Sequence, residues 1–147
     1  MTWERNGYTL RPARREEGDA YFRAGFDPMD PEVVRLTGSQ KNFTREEVLG
    51  FFLACFDDPD RRDFLLLDPA GKIIGESTIN EIDWEARCAN FRIAIFRPEY
   101  CGQGIGSWAV RTTRDFAFET LKLHRLELNV FSFNPRAERS YEKAGFR

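Results

Sequence analysis

The sequence predicts a mixed α/β domain in which a run of consecutive strands is followed by a crossover helix and a further strand. Apolar residues alternate along segments such as 86–96 and 125–131, and they recur at helical spacing through 44–56. The length of 147 residues suits one domain, so we expect a single domain over 1–147. The hydrophobic share of 41% and the charged share of 31% are ordinary for a globular protein.

The first half of the chain is predicted to hold one strand, two helices and an irregular segment. In chain order these are a strand over 8–14, a helix over 15–26, a Pro- and Gly-punctuated loop or short helix over 27–42, and a helix over 44–56. Thr44 stands three residues before Glu47, which is the spacing of a capping box at the start of a helix.

The second half is predicted to begin as a strand meander. In chain order it holds strands over 63–67, 72–82 and 86–96, a helix over 105–121, a strand over 125–131 and a helix over 134–146. The turn signal at 68–72 predicts a hairpin between the first two of these strands. Asn134 is suited to cap the last helix, and Gly145 is suited to end it.

Cysteine and histidine usage argues against several classes of site. Cys55, Cys88 and Cys101 show neither a disulfide framework nor zinc-ligand spacing, so a reducing cytoplasm is the expected compartment. His124 is the only histidine, which argues against metal ligation and His-based nucleophilic triads. No N-terminal stretch resembles a signal peptide, and no apolar run approaches the ~18 residues of a membrane span. Since no basic stripe indicates nucleic acid either, we expect no metal, membrane or nucleic-acid partner.

Charge is distributed unevenly along the chain although the net charge is only −2. Residues 44–85 hold 4 basic and 11 acidic side chains, a balance of −7, whereas residues 86–147 hold 11 basic and 6 acidic, a balance of +5. Residues 1–43 are balanced at 7 of each. The asymmetry is either ordinary surface scatter or the mark of two regions that prefer ligands of opposite sign.

A glycine-rich loop, RPEYCGQGIGSW at 97–108, separates a predicted strand from a predicted helix. A Walker A loop is excluded because no Gly-Lys-Ser/Thr follows. The spacing from Gly104 to Ala109 fits a dinucleotide fingerprint, but that motif should follow its strand directly, and RPEYC intervenes. Two interpretations remain: a backbone nest for a pyrophosphate at the start of a helix, or a tight turn without a ligand.

Two motifs in the second half resemble the GNAT superfamily of acetyl-CoA-dependent N-acetyltransferases. The run from Cys101 to Gly106 fits the family's Q/R-x-x-G-x-G/A loop, except that Cys101 stands where the family has Arg or Gln. The run NPRAERSYEKAGF at 134–146 fits the family's N-x-x-A-x-x-x-Y-x-x-x-G-F. Segments 79–104 and 116–128 are most similar to the branch of ribosomal-protein N-terminal and spermidine acetyltransferases.

The resemblance implies a GNAT fold, which is a mixed, mostly antiparallel central sheet with a splayed strand pair and flanking helices. It also implies acetyl-CoA as co-substrate, with the pyrophosphate on the glycine loop and the pantetheine arm along the backbone of the preceding strand. The implied cofactor-binding residues are Ile93, Ala94, Ile95, Cys101, Gly102, Gln103, Gly104, Ile105, Gly106, Ser107, Asn134 and Arg139.

The reaction implied by the resemblance is direct attack of a primary amine on the thioester in a ternary complex. The amine belongs to a protein N-terminus, a polyamine or a small molecule. Tyr141 is the expected general acid, because a phenol with a pKa near ~10 is protonated at neutral pH. The candidates for the general base are Glu76, Glu81 and Asp83, of which we favour Glu81; relatives often carry Glu where this chain has Asn90. The alternative function is a non-catalytic acetyl-CoA-binding or regulatory module.

The end of the sequence departs from the family pattern. The family has one or two further strands after the motif that ends here at Phe146, so we expect the C-terminal part of the domain to be absent. The strand over 125–131 would then have an exposed edge, which would allow an edge-paired or domain-swapped homodimer. We also expect the basic half to face the anionic cofactor and the acidic half to attract a cationic amine.

Overall fold

The computed structural model describes residues 2–25, 44–96 and 104–128. Its strands are β1 (Trp3–Arg5), β2 (Tyr8–Pro12), β3 (Arg62–Leu67), β4 (Ile73–Asp83), β5 (Cys88–Ile95) and β6 (Arg125–Leu128). Its α-helices are α1 (Gly18–Gly25), which follows a 3₁₀ turn at Arg15–Glu17, α2 (Arg45–Cys55) and α3 (Ile105–Glu119). The predictions for 27–42 and for the helix over 134–146 lie outside the described residues.

One mixed sheet contains all six of these strands, in the order β1-β2-β3-β4-β5-β6. Neighbours from β1 to β5 are antiparallel, and β5 and β6 are parallel. A parallel pair needs a crossover connection, and α3 lies in the chain between these two strands. The predicted mixed α/β class, the meander and the crossover are therefore confirmed. The β5–β6 pairing runs from Cys88 to Phe91; the strand splay predicted beyond it involves residues outside the described ranges.

The strand β1 was not predicted, although the sequence carries a signal for it. Asn6 and Gly7 connect β1 to β2 with φ values of 52° and 86°. An Asn-Gly pair is the preferred two-residue hairpin turn, because both of its central residues need positive φ. The capping box predicted for α2 is confirmed: the Thr44 hydroxyl accepts from the Glu47 N–H at 3.2 Å, and the Glu47 carboxylate accepts from the Thr44 N–H at 3.3 Å.

The sheet is covered on both faces, which divides the core in two. On one face, α3 contributes residues such as Val110 and Phe116, which pack with Phe64 from β3. On the other face, Tyr21 from α1 and Phe52 from α2 pack in a second cluster. The strand β4 passes between the two clusters and is buried from Ile73 to Ile79.

The burial of β4 includes three consecutive polar residues, Glu76, Ser77 and Thr78. Side chains alternate between the faces of a strand, so Ser77 faces α3 while Glu76 and Thr78 face α1 and α2. The Ser77 and Thr113 hydroxyl oxygens are 2.7 Å apart, and Thr113 donates its own hydrogen to the Ala109 carbonyl at 2.8 Å. Because Thr113 has one hydroxyl hydrogen, Ser77 must donate to Thr113, which attaches α3 to the centre of the sheet.

We expect Thr113→Val to lower the free energy of unfolding by about 1–3 kcal/mol, because it leaves the buried Ser77 hydroxyl without an acceptor. Ser77→Ala should cost about 1 kcal/mol, since Thr113 keeps its bond to Ala109. The double variant should be no less stable than Thr113→Val alone. Urea denaturation of the three variants measures these differences, and strictly additive losses would contradict the assigned direction of the hydrogen bond.

Candidate active site

The residues predicted to bind the pantetheine arm lie on β5, between β4 and β6 in the sheet. Ile93 and Ile95 pack against the cluster beneath α3, and Ala94 packs against the cluster beneath α1 and α2. On its β4 side the strand pairs Ile93 with Ser77 and Ala94 with Glu76. The side chains of 93–95 thus belong to the core. Their predicted backbone contacts to a cofactor would lie on the opposite edge of β5.

The helix α3 begins directly after the glycine loop. Gly104 is its N-cap, with φ 79° and ψ −6°, a left-handed conformation that favours glycine. No side chain within the described ranges caps this end, no acidic residue lies in the first turn, and the Trp108 N–H donates to the Gly104 carbonyl at 3.0 Å. The N–H groups of a helix's first turn lack intrahelical acceptors, and the helix dipole adds partial positive charge there. A pyrophosphate supplies the complementary charge and acceptors.

Among the residues that the structure describes, nothing requires Gly106, in the first turn of α3, to be glycine. A Cβ atom built on it would meet no described atom within 4 Å, and its φ is not positive. Gly costs about 1 kcal/mol relative to Ala within a helix. Open space beside a glycine at an uncapped helix N-terminus fits close approach by a ligand. The residues present therefore fit the pyrophosphate end of acetyl-CoA.

Six of the predicted site residues lie outside the described part of the chain. They are Cys101, Gly102, Gln103, Asn134, Arg139 and Tyr141. Gly104, Ile105, Gly106 and Ser107 lie together at the start of α3, whereas Ile93, Ala94 and Ile95 lie together on β5.

Glu81, the predicted general base, occupies a β-bulge in β4. Asn80 pairs with Asn90 and Asp83 with Cys88, so β4 has one extra residue across this interval. Glu81 is exposed and has φ 51°, an uncommon value for a residue other than glycine. The Asn90 amide donates to Oε2 of Glu81. A bulge with an unusual backbone conformation redirects a side chain, here toward the strand β5.

The other two candidate bases are engaged in hydrogen bonds. Asp83 Oδ1 accepts from the backbone N–H groups of Glu85 and Ala86 at 3.1 and 3.0 Å, which closes the turn after β4. Both oxygens of the buried Glu76 have partners, described below. Within the described ranges, Oε1 of Glu81 has no partner, so Glu81 retains an oxygen that could accept a proton.

A buried network connects α1, β4 and β5 on the face away from α3. The Tyr21 hydroxyl donates to Glu76 Oε2 at 2.7 Å, and Arg92 Nη2 donates to Glu76 Oε1 at 3.0 Å. Burial, together with the Glu76 carboxylate, raises the pKa of Tyr21 well above its usual range, so Tyr21 remains a hydrogen-bond donor. The Glu76 side chain is 11% exposed and that of Arg92 is 64% exposed. A buried carboxylate thus holds an accessible guanidinium in place.

A cavity of about 490 Å³ lies on this same face, between the end of α2 and the start of β3. Its walls include Tyr21, Phe52, Cys55, Phe56, Asp63 and Glu76. Asp63 accepts from Arg61 at 2.7 and 2.8 Å and from the Thr78 hydroxyl at 3.2 Å.

Two further acidic residues line the cavity, Asp57 and Asp58. Asp57 accepts from Arg15 at 2.8 Å, and Asp58 accepts from the Asp60 N–H at 2.8 Å. Each carboxylate in the cavity wall therefore has a hydrogen-bond donor beside it. The acidic residues of segment 44–85 that line this cavity therefore do not form a patch of unpaired carboxylates.

Tyr21 and Arg92 are candidate site residues that the sequence-based predictions missed. Glu76 offered the signal, because it lies in the middle of the strand predicted over 72–82, where a buried acid needs a partner. Those partners, 55 positions before it and 16 after it, are brought together by the fold and cannot be identified from sequence spacing.

Across residues 2–25, 44–96 and 104–128, no group of three or more His, Cys, Asp or Glu side chains is arranged to hold a metal ion. Within the same residues, no helix combines the length and apolar character needed to span a bilayer.

Two sequence relatives of this chain are acetyltransferases. Over 90 residues the chain is 36% identical to spermidine N(1)-acetyltransferase from Vibrio cholerae, an alignment that covers 61% of this chain and 51% of the relative. It is also 36% identical over 90 residues to spermidine N(1)-acetyltransferase from Escherichia coli K12, covering 61% of this chain and 47% of that one. These alignments span about half the length of the curated relatives.

Solved structures and a family model extend the likeness to most of the chain. The crystal structure of spermidine N-acetyltransferase from Vibrio cholerae in complex with CoA and spermine superimposes with a TM-score of 0.81 at 25% identity, covering 96% of this chain and 81% of that one. A dodecameric structure of the same enzyme gives a TM-score of 0.76 at 26% identity, covering 97% and 81%. The model of the acetyltransferase (GNAT) domain matches residues 8–147, and the chain therefore belongs to the GNAT acetyltransferase family.

Proposed function

We propose that this protein is an N-acetyltransferase that transfers an acetyl group from acetyl-CoA to a primary amine by direct attack in a ternary complex. The observation that carries the proposal is the start of α3, where Gly104 is left-handed and no described residue caps the helix or obstructs Gly106, which suits this N-terminus to a pyrophosphate. The family match over 8–147 supplies the reaction class.

The backbone of β5 and the glycine loop would hold the cofactor. In this assignment Ile93, Ala94 and Ile95 bind the pantetheine arm, and residues 101–107 bind the pyrophosphate. Asn134 and Arg139 add contacts from the segment that carries the second motif. Cys101 contributes no positive charge where the family has Arg or Gln, so backbone N–H groups carry more of the phosphate binding.

Proton transfers accompany the attack of the amine on the thioester carbonyl carbon. A C–N bond forms as the C–S bond breaks, and the departing thiolate takes a proton from the Tyr141 hydroxyl. An alkylamine with a pKa near ~10.4 is protonated at neutral pH and loses two protons on becoming an amide. Glu81 accepts the first, before the attack, and the second, released from the nitrogen after the attack, replaces the proton that Tyr141 gave to the thiolate. Asn90, which donates to Glu81 Oε2, positions that carboxylate next to β5.

Direct attack is favoured over an acyl-enzyme intermediate because Cys55, the thiol in the cavity wall, is a poor nucleophile. Burial, with a further contribution from Asp63, raises the pKa of Cys55 to about 11. A thiol with that pKa is protonated at neutral pH and is a poor nucleophile. Cys101 belongs to the loop assigned to the phosphates, away from the thioester end.

The acceptor classes open to this site are a polyamine, a protein N-terminus and a small-molecule amine. Spermidine and spermine are the first compounds to assay, because the relatives are spermidine N-acetyltransferases and one of their structures contains spermine. Self-association is proposed too, since one neighbouring structure is dodecameric. A non-catalytic acetyl-CoA-binding module remains the alternative function, and it predicts binding of acetyl-CoA without turnover of any amine.

We expect Gly106→Ala to weaken acetyl-CoA binding about tenfold or more, because the added methyl group occupies space that the pyrophosphate would need. The same change should leave the free protein equally stable or up to about 1 kcal/mol more stable. Calorimetric titration and thermal unfolding measure the two effects. Gly50→Ala in α2 is the matched control, since its Cβ also meets nothing within 4 Å. Unchanged binding in Gly106→Ala would place the pyrophosphate elsewhere.

Replacing the proposed acid tests the catalytic assignment directly. Tyr141→Phe should lower kcat by about 10²-fold or more while the Kd for acetyl-CoA stays within about twofold. Stopped assays of CoA release and calorimetry provide the two measurements, with Tyr8→Phe on β2 as the control. Normal kcat in Tyr141→Phe would remove this residue as the general acid.

Glu81→Gln should reduce kcat/KM about 10–100-fold near neutral pH, and the loss should shrink as pH rises and more of the amine is already neutral. Asp83→Asn controls for charge, because Asp83 is engaged in the adjoining turn. A pH–rate profile of the two variants distinguishes a lost base from a misfolded bulge, which would lower activity equally at every pH.

A further inference from the structure

Arg92 is unusually well fixed for an exposed side chain. Its Nη2 donates to Glu76 Oε1, while Glu76 Oε2 accepts from the buried Tyr21 hydroxyl. Both oxygens of the carboxylate are therefore used to hold other groups. An arginine side chain normally loses considerable rotational freedom when it binds a ligand, and this anchor removes part of that cost in advance.

The guanidinium of Arg92 retains unused hydrogen-bonding capacity. A guanidinium has five N–H donors in a planar fork, and the contact to Glu76 uses Nη2. Within residues 2–25, 44–96 and 104–128, Nε and Nη1 of Arg92 have no hydrogen-bond partner, and the side chain is 64% exposed. The free donors match the geometry of a second carboxylate, whereas an ammonium group offers them no acceptor and carries the same charge.

The position of Arg92 on β5 makes it a candidate for contact with the acceptor. It immediately precedes Ile93, the first residue assigned to the pantetheine arm. It lies on the same face as Asn90, which holds Glu81, since residues two apart on a strand share a face. On this face the nearby carboxylates of Asp63 and Glu76 are each paired with an arginine, so neither is left unpaired to attract a polycation.

We propose that Arg92 is a specificity-determining residue that binds a carboxylate on the acceptor, so that the preferred acceptor is an amine that also carries a carboxylate group, such as an amino acid. This inference rests on the proposed acetyltransferase function and names its acceptor class. Tyr21 and Glu76 are positioning residues, because they act by holding Arg92.

The test compares acceptors that differ in one carboxylate. Glycine and the ω-amino acids up to 6-aminohexanoate are paired with n-alkylamines of the same carbon number, and spermidine is assayed beside them. With acetyl-CoA and the full chain, kcat/KM at the best chain length should be about tenfold or more higher for the amino acid. Arg92→Gln should reduce that ratio to near one, without lowering kcat/KM for the alkylamine or for spermidine.

Three further variants distinguish loss of carboxylate recognition from a general loss of folding or activity. Arg92→Lys should give an intermediate ratio, because it keeps the charge but loses the planar fork. Glu76→Gln should lower the ratio while retaining Arg92, since the guanidinium is then held less firmly. Arg45→Gln, which breaks the exposed pair with Asp19, should leave the ratio unchanged. Thermal unfolding of each variant confirms that it is folded.

Equilibrium binding of the acceptor tests the inference even if the protein acetylates none of these amines. Calorimetric titration of the CoA-loaded protein with 6-aminohexanoate and with hexylamine should show tighter binding of the amino acid, and Arg92→Gln should abolish the difference. Such binding without turnover of any amine would overturn the proposed enzymatic function and leave the carboxylate site standing. Turnover with equal ratios in the wild type and in Arg92→Gln would overturn the inference alone, as would a wild-type preference for spermidine over every amino acid.

Discussion

The central strand β4 imposes the constraint on which the rest of this fold depends. It is buried between two layers of helices, yet it carries three polar residues in succession, Glu76, Ser77 and Thr78. A buried polar group without a partner costs more free energy than a typical hydrogen bond contributes, so each of the three requires a specific neighbour. The alternation of the strand sends Ser77 toward α3 and the other two toward α1 and α2. Partner requirements on both faces therefore determine how both helical layers dock onto one strand.

The adjacent strand β5 converts this arrangement into a candidate active site. Along a few residues it presents Asn90 toward the bulge at Glu81, Arg92 toward Glu76, and Ile93 toward the core beneath α3. The face that carries Asn90 and Arg92 also carries Ala94, which packs beneath α1 and α2, so polar and packing residues alternate along this face. The backbone edge of β5 beyond Phe91 is the place proposed for the pantetheine arm. A site built on a strand inside a sheet is held more rigidly than one built on loops, which suits a reaction that depends on the relative placement of an amine and a thioester.

Much of the fold could be predicted from local patterns, and the least local features could not. The strands β2 to β5 and the helices α2 and α3 carry clear periodicity, and the capping residues Thr44 and Glu47 mark a helix start. The strand β1 is only three residues long, too short for alternation to be visible, although Asn6 and Gly7 marked its turn.

The candidate site shows the same division. The glycine loop at α3 could be recognised because its chemistry is local in sequence. The network of Tyr21, Glu76 and Arg92 could not, because it joins three elements distant along the chain, and only the unexpected acid in β4 hinted at it. The bulge at Glu81 also escaped prediction, since one extra residue in a strand leaves the alternating pattern readable on either side of it.

Sharing one carboxylate among three elements has a consequence for how the protein can evolve. Loss of Glu76 would remove a hydrogen-bond acceptor from both the Tyr21 hydroxyl and the Arg92 guanidinium, whereas replacement of Arg92 would remove one of the two donors to a buried carboxylate. The effects of substitutions at positions 21, 76 and 92 are therefore strongly non-additive, and viable changes must occur in a compensating order. Among homologues we therefore expect the residues at these three positions to covary, so that all three are kept or all three are replaced.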